Sequence, residues 1–302
     1  MSYIFDALQR AESESSGAES PTISMATELL QAAEQKMREA HPTGEQQPSA
    51  DSFEPSPSSG FEDLEQCPVL PVFIPQQNRL VSVSREENLG AEKFRFLAVR
   101  LRQLRQSRPL KKILITSTIP QEGKSTVAAN LACTLARRTK QKVLLLEGDL
   151  RRPTVAAQFG LGRIPGLCEW LCEQTQSINI CRLEGLGLWL LPAGATPQNP
   201  LESMQSGKLA PLMNRLEAWF DWIIIDSPPV LPLADASLWS RLADGILLVT
   251  RKGITEKQQL QRGLGTLERS KLLGALVNSS TNASHRDYYQ RYTSAPTGQS
   301  KE

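Results

Sequence analysis

Short apolar runs recur along the chain from residue 112 onward, and longer amphipathic segments separate them. The runs are KILITS (112–117), VLLLEG (143–148), LWLLPAG (188–194), WIIIDSPP (222–229), GILLVT (245–250) and LGALVN (273–278). Strands without polar alternation are buried on both faces, which is typical of a parallel sheet covered by helices. The pattern predicts an α/β fold with a mostly parallel sheet flanked by helices, whose ligands bind at the carboxyl ends of the strands.

The chain before residue 112 has a different pattern. From Asn88, apolar residues recur at spacings of three and four, which predicts an amphipathic helix. The preceding region is rich in Ser, Glu, Gln and Pro, which predicts a disordered linker. Residues 2–10 are predicted to form a short helix that either docks on a partner or merely ends a tether. The expected segments are a helix at 1–10, an acidic disordered linker at 11–78, a globular domain at 79–282 and a flexible tail at 283–302.

Charge divides the chain at nearly the same place. The 302 residues carry a net charge of +2, but the stretch up to Gln66 contains 13 acidic and 3 basic residues, so the rest is strongly basic. The basic residues are scattered, which argues against a specific nucleic-acid site. No apolar run reaches the ~18 residues of a membrane span, and the first residues do not resemble a signal peptide. We therefore expect a cytoplasmic protein.

A phosphate-binding loop (P-loop) follows the run at 112–117. Gly123, Lys124 and Ser125 end this loop, and a helix is predicted from Val127 to Arg138. In such loops glycine lets backbone N–H groups approach phosphate oxygens, lysine reaches the β and γ phosphates, and the hydroxyl binds Mg²⁺. Thr118 stands where the usual motif has its first glycine. We expect ATP and Mg²⁺ as cofactors, with Glu122 to Thr126 contacting the nucleotide.

Carboxylates end two further apolar runs. Asp226 ends WIII, where it is expected to hold Mg²⁺, although an aspartate there also suits a plain strand end. Glu147 and Asp149 follow VLLL, and two carboxylates in this position bind metal or accept a proton. Arg151 is expected to neutralise phosphate charge. A solvated turn is the alternative interpretation of residues 147–151.

With these three sites in order, residues 88–292 resemble the bacterial tyrosine kinases, the autokinases of capsular and exopolysaccharide assembly, within the ParA/MinD group of P-loop ATPases. Glu147, Asp149 and Arg151 match the family motif D-x-D-x-R, and 226–229 match apolar-D-x-P-P. In the wider group an asparagine at a strand end contacts the nucleotide base, which makes Asn278 a candidate for that role. The resemblance implies a protein tyrosine autokinase.

The resemblance also gives a role to the tail. The family carries a C-terminal tyrosine cluster that is phosphorylated, usually between neighbouring subunits, and Tyr288, Tyr289 and Tyr292 lie at that position. The tail has no apolar pattern, so these tyrosines are not expected in a core. The resemblance further implies a homo-oligomer, a phosphatase and a membrane-anchored polysaccharide chain-length or export protein as activator. That partner would recruit the chain to the inner face of the membrane.

The sequence departs from the family pattern at three places. Glu147 replaces the usual aspartate and so moves the carboxylate by one methylene, and Ala98 replaces the last arginine of the family's subunit-contact motif E-x-x-R-x-x-R. The tyrosine cluster is also short. The alternative hypothesis is a switch ATPase without kinase activity that controls assembly with a membrane partner. Partitioning ATPases of that kind carry a lysine where this chain has Ile119.

Overall fold

The computed structural model describes residues 64–83, 88–137, 141–231 and 234–278. The predicted helix at 1–10, the linker as far as residue 63 and the tyrosine tail lie outside these ranges. Within them, eight strands form one sheet. The strands are β1 (Val69–Leu70), β2 (Lys112–Ser117), β3 (Val143–Glu147), β4 (Cys181–Leu183), β5 (Leu188–Leu191), β6 (Trp222–Asp226), β7 (Gly245–Arg251) and β8 (Leu272–Asn278).

The sheet order is β1-β4-β5-β3-β6-β2-β7-β8, and the six strands from β5 to β8 in this order run parallel. Those six are the strands that the apolar runs predict. β4 pairs antiparallel with β5 and parallel with β1, so the two added strands form one edge of the sheet. The α/β class with a mostly parallel sheet is therefore confirmed.

Helices cover the sheet. They are α1 (Leu89–Ser107), α2 (Lys124–Ala136), α3 (Val155–Gln158), α4 (Leu167–Leu171), α5 (Pro200–Met204), α6 (Leu209–Trp219), α7 (Asp235–Leu242) and α8 (Lys257–Thr266). α1 begins after Asn88, as predicted, because the Asn88 side chain accepts the N–H of Ala91 at 2.8 Å and so caps the first turn. Within the described ranges, no helix has both the length and the apolar character required to cross a membrane.

Both faces of the sheet are buried, which explains the uninterrupted apolar runs. Alternate residues of β2 belong to different clusters: Ile113 packs with α2 on one face, whereas Leu114 packs with α6 and α7 on the other. The five residues of β3 are all buried, and so are those of β6. A central strand therefore tolerates polar side chains only at its ends, where they are available for chemistry.

Secondary structure is already present in the described residues before the predicted domain boundary at residue 79. Residues 64–78 fall in the predicted linker 11–78, yet they contain β1 and two short 3-10 helices, Leu64–Gln66 and Gln76–Asn78. β1 is held by β4, because the Pro68 carbonyl accepts the N–H of Arg182 at 2.9 Å. The end of the linker therefore needs correction. A strand of two residues between prolines carries no readable periodicity, and its pairing is a tertiary contact.

Candidate active site

The P-loop connects β2 to α2 in a strained backbone conformation. Gly123 is the N-cap of α2 and has φ of 90°, a value that favours glycine, and a Cβ added there would overlap the Asn278 side chain. Gln121 also has a positive φ, of 66°. Two left-handed residues within three turn the backbone sharply into the helix. The loop therefore has the shape and the helix N-terminus that bind phosphate.

Thr118 explains how the loop forms without its first glycine. Its φ is not positive, so the backbone there does not require glycine. The side chain is fully buried, and it lies against Gly263 of α8, where an added Cβ would come within 3.0 Å of Thr118 Cγ2. The threonine is accommodated because the facing helix has a glycine at the contact.

Lys124 lies among carboxylates at the start of α2. Its Nζ is 2.8 Å from Asp149 Oδ2, and the two side chains are only 13% and 5% exposed. Burial disfavours the ammonium, but the nearby Asp226 and Asp149 carboxylates outweigh burial and raise the pKa of Lys124. The Nζ is also 3.3 Å from Ser125 Oγ. Lys124 is thus charged and directed toward the space above the strand ends, as nucleotide binding requires.

Asp226 ends β6 directly beside the ends of β2 and β3. It pairs in register with Ile115 on one side and Glu147 on the other, and its side chain is fully buried. Burial raises its pKa to about 7, although Lys124 and the Ser125 hydroxyl act in the opposite direction. Among the described residues, no donor completes a hydrogen bond to either carboxylate oxygen. A buried carboxylate with open acceptor positions beside a serine hydroxyl fits a Mg²⁺ site.

Glu147 has its carboxylate turned away from this space. Oε1 accepts the N–H of Val155 at 2.5 Å, Oε2 accepts the N–H of Ala193 at 3.0 Å, and the residue is 1% exposed. Burial raises its pKa, and these backbone N–H groups oppose the rise. The carboxylate therefore joins the start of α3 to the segment after β5. The extra methylene of glutamate gives it this reach.

α7 holds the loop that carries Asp149. Arg151 forms two hydrogen bonds with Asp235, at 2.6 and 3.0 Å, and Asp235 is 1% exposed. Trp239, also buried on α7, donates its indole N–H to the carbonyl of Gly148 at 3.0 Å. Arg151 is therefore engaged with α7 in this structure. No pattern in the sequence indicated that Asp235 or Trp239 holds this loop.

The other predicted site residues surround the loop. Asn278 donates its amide N–H to the carbonyl of Glu122 at 2.9 Å, so it contacts the P-loop itself. Glu122 is fully buried, and the Thr126 carbonyl accepts the Asn130 side chain at 2.8 Å within α2. The structure thus brings residues 122–126, 149, 226 and 278 to one end of the sheet. The predicted acceptors at 288, 289 and 292 lie outside the described residues.

Replacing Gly148 by alanine is expected to destabilise the protein by about 1–3 kcal/mol through overpacking. An added Cβ would lie 2.8 Å from the Asp226 carbonyl oxygen and 2.8 Å from the Trp239 ring, and both are fixed by burial. Thermal unfolding measures the effect. Gly265→Ala on α8 is the control, because nothing lies within 4 Å of its Cβ and helix propensity favours alanine. An unchanged melting temperature for Gly148→Ala would contradict this packing.

The chain is similar to named proteins and to solved structures. No family model matches it. Tyrosine-protein kinase YwqD of Bacillus subtilis (strain 168) is 36% identical over 217 residues, which are 70% of this chain and 90% of that protein. The putative tyrosine-protein kinase CapB of Staphylococcus aureus is 33% identical over 207 residues, which are 67% of this chain and 90% of that protein. The crystal structure of the chimerical protein CapA2B2 superposes with a TM-score of 0.63 at 30% identity, and the match covers 72% of this chain and 96% of that chain.

Proposed function

Because the chain belongs to the bacterial tyrosine-protein kinases, we propose that it transfers the γ-phosphoryl group of ATP to its own tyrosines Tyr288, Tyr289 and Tyr292. The observation that carries this proposal is the convergence of the P-loop lysine, Lys124, with Asp149 and Asp226 at the ends of adjacent strands. Phosphoryl transfer depends mainly on positioning and charge stabilisation, and these three groups supply both.

Each residue of the site is proposed to have a distinct role in phosphoryl transfer. Backbone N–H groups of the loop and the Lys124 ammonium would bind the phosphates, while Ser125, Asp226 and Asp149 would hold Mg²⁺. A bound Mg²⁺ neutralises phosphate charge. Both oxygens of Glu147 are engaged by backbone N–H groups. Asp149, whose Oδ2 lies 2.8 Å from Lys124 Nζ, is next to the phosphate-binding lysine and would accept the tyrosine proton.

The acceptor tyrosines would reach a neighbouring copy. Tyr288 lies ten positions after Asn278, and a segment of this length spans at most about 35 Å when extended. We propose a homo-oligomer in which subunits phosphorylate each other. A membrane-anchored polysaccharide export protein would activate the chain and recruit it, and a phosphatase would reverse the modification. Regulation of capsule or exopolysaccharide assembly is the corresponding role.

Incubation of the full chain with Mg-ATP, followed by detection of phosphotyrosine, tests the proposal. Signal is expected from the parent but not from Lys124→Ala or from the triple Tyr288/Tyr289/Tyr292→Phe variant. Signal that persists in Lys124→Ala would contradict the site. Signal that persists in the triple variant would contradict the acceptors. ATP hydrolysis without phosphotyrosine, even with the activator's cytoplasmic segment present, would support a switch ATPase instead.

A further inference from the structure

The P-loop is held from the outside by the turn that joins β7 to α8. This turn includes Arg251, the last residue of β7, and the residues as far as Thr255, which no motif assigns to the site. The Arg251 guanidinium donates from Nη1 to the Gln121 carbonyl at 3.2 Å. The Thr255 hydroxyl donates to Oε1 of Glu122. Two neighbouring P-loop residues are thus each bound by one residue of the turn.

Glu122 connects the turn to the start of the P-loop through its carboxylate. While Oε1 accepts the Thr255 hydroxyl, Oε2 accepts the N–H of Ile119 at 2.9 Å, so one carboxylate closes the loop across three residues. The side chain is fully buried. A carboxylate occupied in this way is not available to a nucleotide or a metal ion. The Glu122 side chain thus braces the loop, and the predicted contact of this residue with the nucleotide stays a prediction.

The turn is itself pre-formed to hold Thr255 in place. Thr255 Oγ1 accepts the backbone N–H of Arg251 at 2.9 Å, and its single proton faces two acceptors, Oε1 of Glu122 and the more distant Arg251 carbonyl at 3.2 Å. The contacts of Arg251 and Thr255 hold the part of the P-loop whose backbone conformation is least favourable by itself. Gln121 has φ of 66°, and a non-glycine residue persists there only where surrounding contacts enforce it.

We propose that Thr255 is a positioning residue for the kinase reaction and acts through Glu122. Its hydroxyl keeps the P-loop in the conformation that directs backbone N–H groups and Lys124 at the phosphates. Contacts made by the loop to the β and γ phosphates are present both before and during transfer. Loss of the brace should therefore weaken nucleotide binding more than turnover at saturating ATP.

Thr255→Val and Thr255→Ser test this inference. Valine has the shape of threonine without the hydroxyl, and is expected to raise both the KM for ATP and the Kd for Mg-ATP about tenfold, with kcat reduced less than about threefold. Serine retains the hydroxyl and is expected to keep both constants within about twofold of the parent. Thr266→Val is the matched control, because that hydroxyl donates to the Gly263 carbonyl within α8 and, among the described residues, makes no hydrogen bond with the P-loop. An unchanged KM and Kd in Thr255→Val would overturn the proposal.

Glu122→Gln distinguishes the hydrogen bonds of the Glu122 side chain from its negative charge. The glutamine carbonyl can accept the Ile119 N–H while its amide donates to Thr255, so ATP affinity is expected to stay within about threefold of the parent. A loss of affinity on the order of 100-fold in a variant that melts like the parent would show that Glu122 acts by its charge, and would overturn the proposal.

The inference rests on ATP binding by the proposed kinase. Calorimetric titration of the full chain with Mg-ATP distinguishes the two possible failures. Absence of binding by the parent would contradict the proposed function. Tight binding by the parent, matched by equally tight binding by Thr255→Val, would contradict only the positioning role of Thr255.

Discussion

An Asp226→Asn protein is expected to lose phosphotyrosine formation by on the order of 100-fold or more and yet to unfold at a higher temperature than the parent at pH 8. The loss follows from the removal of a charge that faces the phosphate site. The gain in stability follows because Asp226 is fully buried and, among the described residues, lacks a hydrogen-bond donor. A buried carboxylate whose attraction to Lys124 does not offset its desolvation costs stability, above its pKa, that a neutral amide does not.

The pH dependence of this gain gives the sharper test. Burial raises the pKa of Asp226 from 3.8 to about 7, so between these values the folded protein binds a proton that the unfolded chain does not. The contribution of Asp226 to stability therefore falls as pH rises from about 4 to 7, and its cost above pH 7 is about a few kcal/mol at most. The difference in melting temperature between Asp226→Asn and the parent should be large at pH 8 and small at pH 5.

Thermal unfolding without Mg²⁺ at the two pH values measures the difference, and phosphotyrosine detection measures activity. Asp221→Asn at the opposite end of β6 is the matched control. Its Oδ2 accepts the N–H of Lys142 at 2.8 Å, and an asparagine oxygen can do the same. The control should keep its activity and show no pH-dependent gain. An Asp226→Asn protein that is less stable than the parent at pH 8, or that still forms phosphotyrosine, would contradict the account.

The central strands could be predicted from sequence because burial on both faces leaves a continuous apolar run. β1 and β4 could not, since they have two and three residues and depend on pairing with distant segments. The run at 112–117 matches β2 residue for residue. The predicted start of α2 at Val127 came three residues late, because the apolar pattern begins inside the first turn and Gly123 is its actual cap.

In the candidate site, the positions of residues could be predicted from the sequence, but the contacts of their side chains could not. A parallel sheet places strand ends together, so the proximity of Lys124, Asp149 and Asp226 follows from their positions in the sequence. The direction in which a side chain points does not follow from its position in the sequence. Arg151 is bound by Asp235, which lies 84 residues away, and no local pattern encodes that choice. Its predicted contact with phosphate therefore stays a prediction.

Glu147→Ala is expected to cause the largest loss of stability among single substitutions at the site. Its two oxygens satisfy the buried N–H groups of Val155 and Ala193, which come from segments 8 and 46 residues away. Each N–H left without an acceptor costs about 1–3 kcal/mol, and the lost side chain leaves a cavity. At about 2–4 °C per kcal/mol, the melting temperature should fall by roughly 10 °C or more.

Glu147→Gln and Glu147→Asp separate bracing from catalysis. Glutamine keeps one carbonyl acceptor but turns an amide donor toward the other N–H, and aspartate is too short to reach both segments. Each is therefore expected to lose about half as much stability as alanine. The exposed Glu184→Ala should change stability by less than about 0.5 kcal/mol.

Activity decides between the two roles of Glu147. If its carboxylate only braces the strand ends, folded Glu147→Gln protein at low temperature should form phosphotyrosine within about tenfold of the parent rate. A Glu147→Gln protein that melts like the parent but forms no phosphotyrosine would assign the carboxylate to the chemistry. The extra methylene would then serve the reacting tyrosine, and the contacts to Val155 and Ala193 would have to break during turnover.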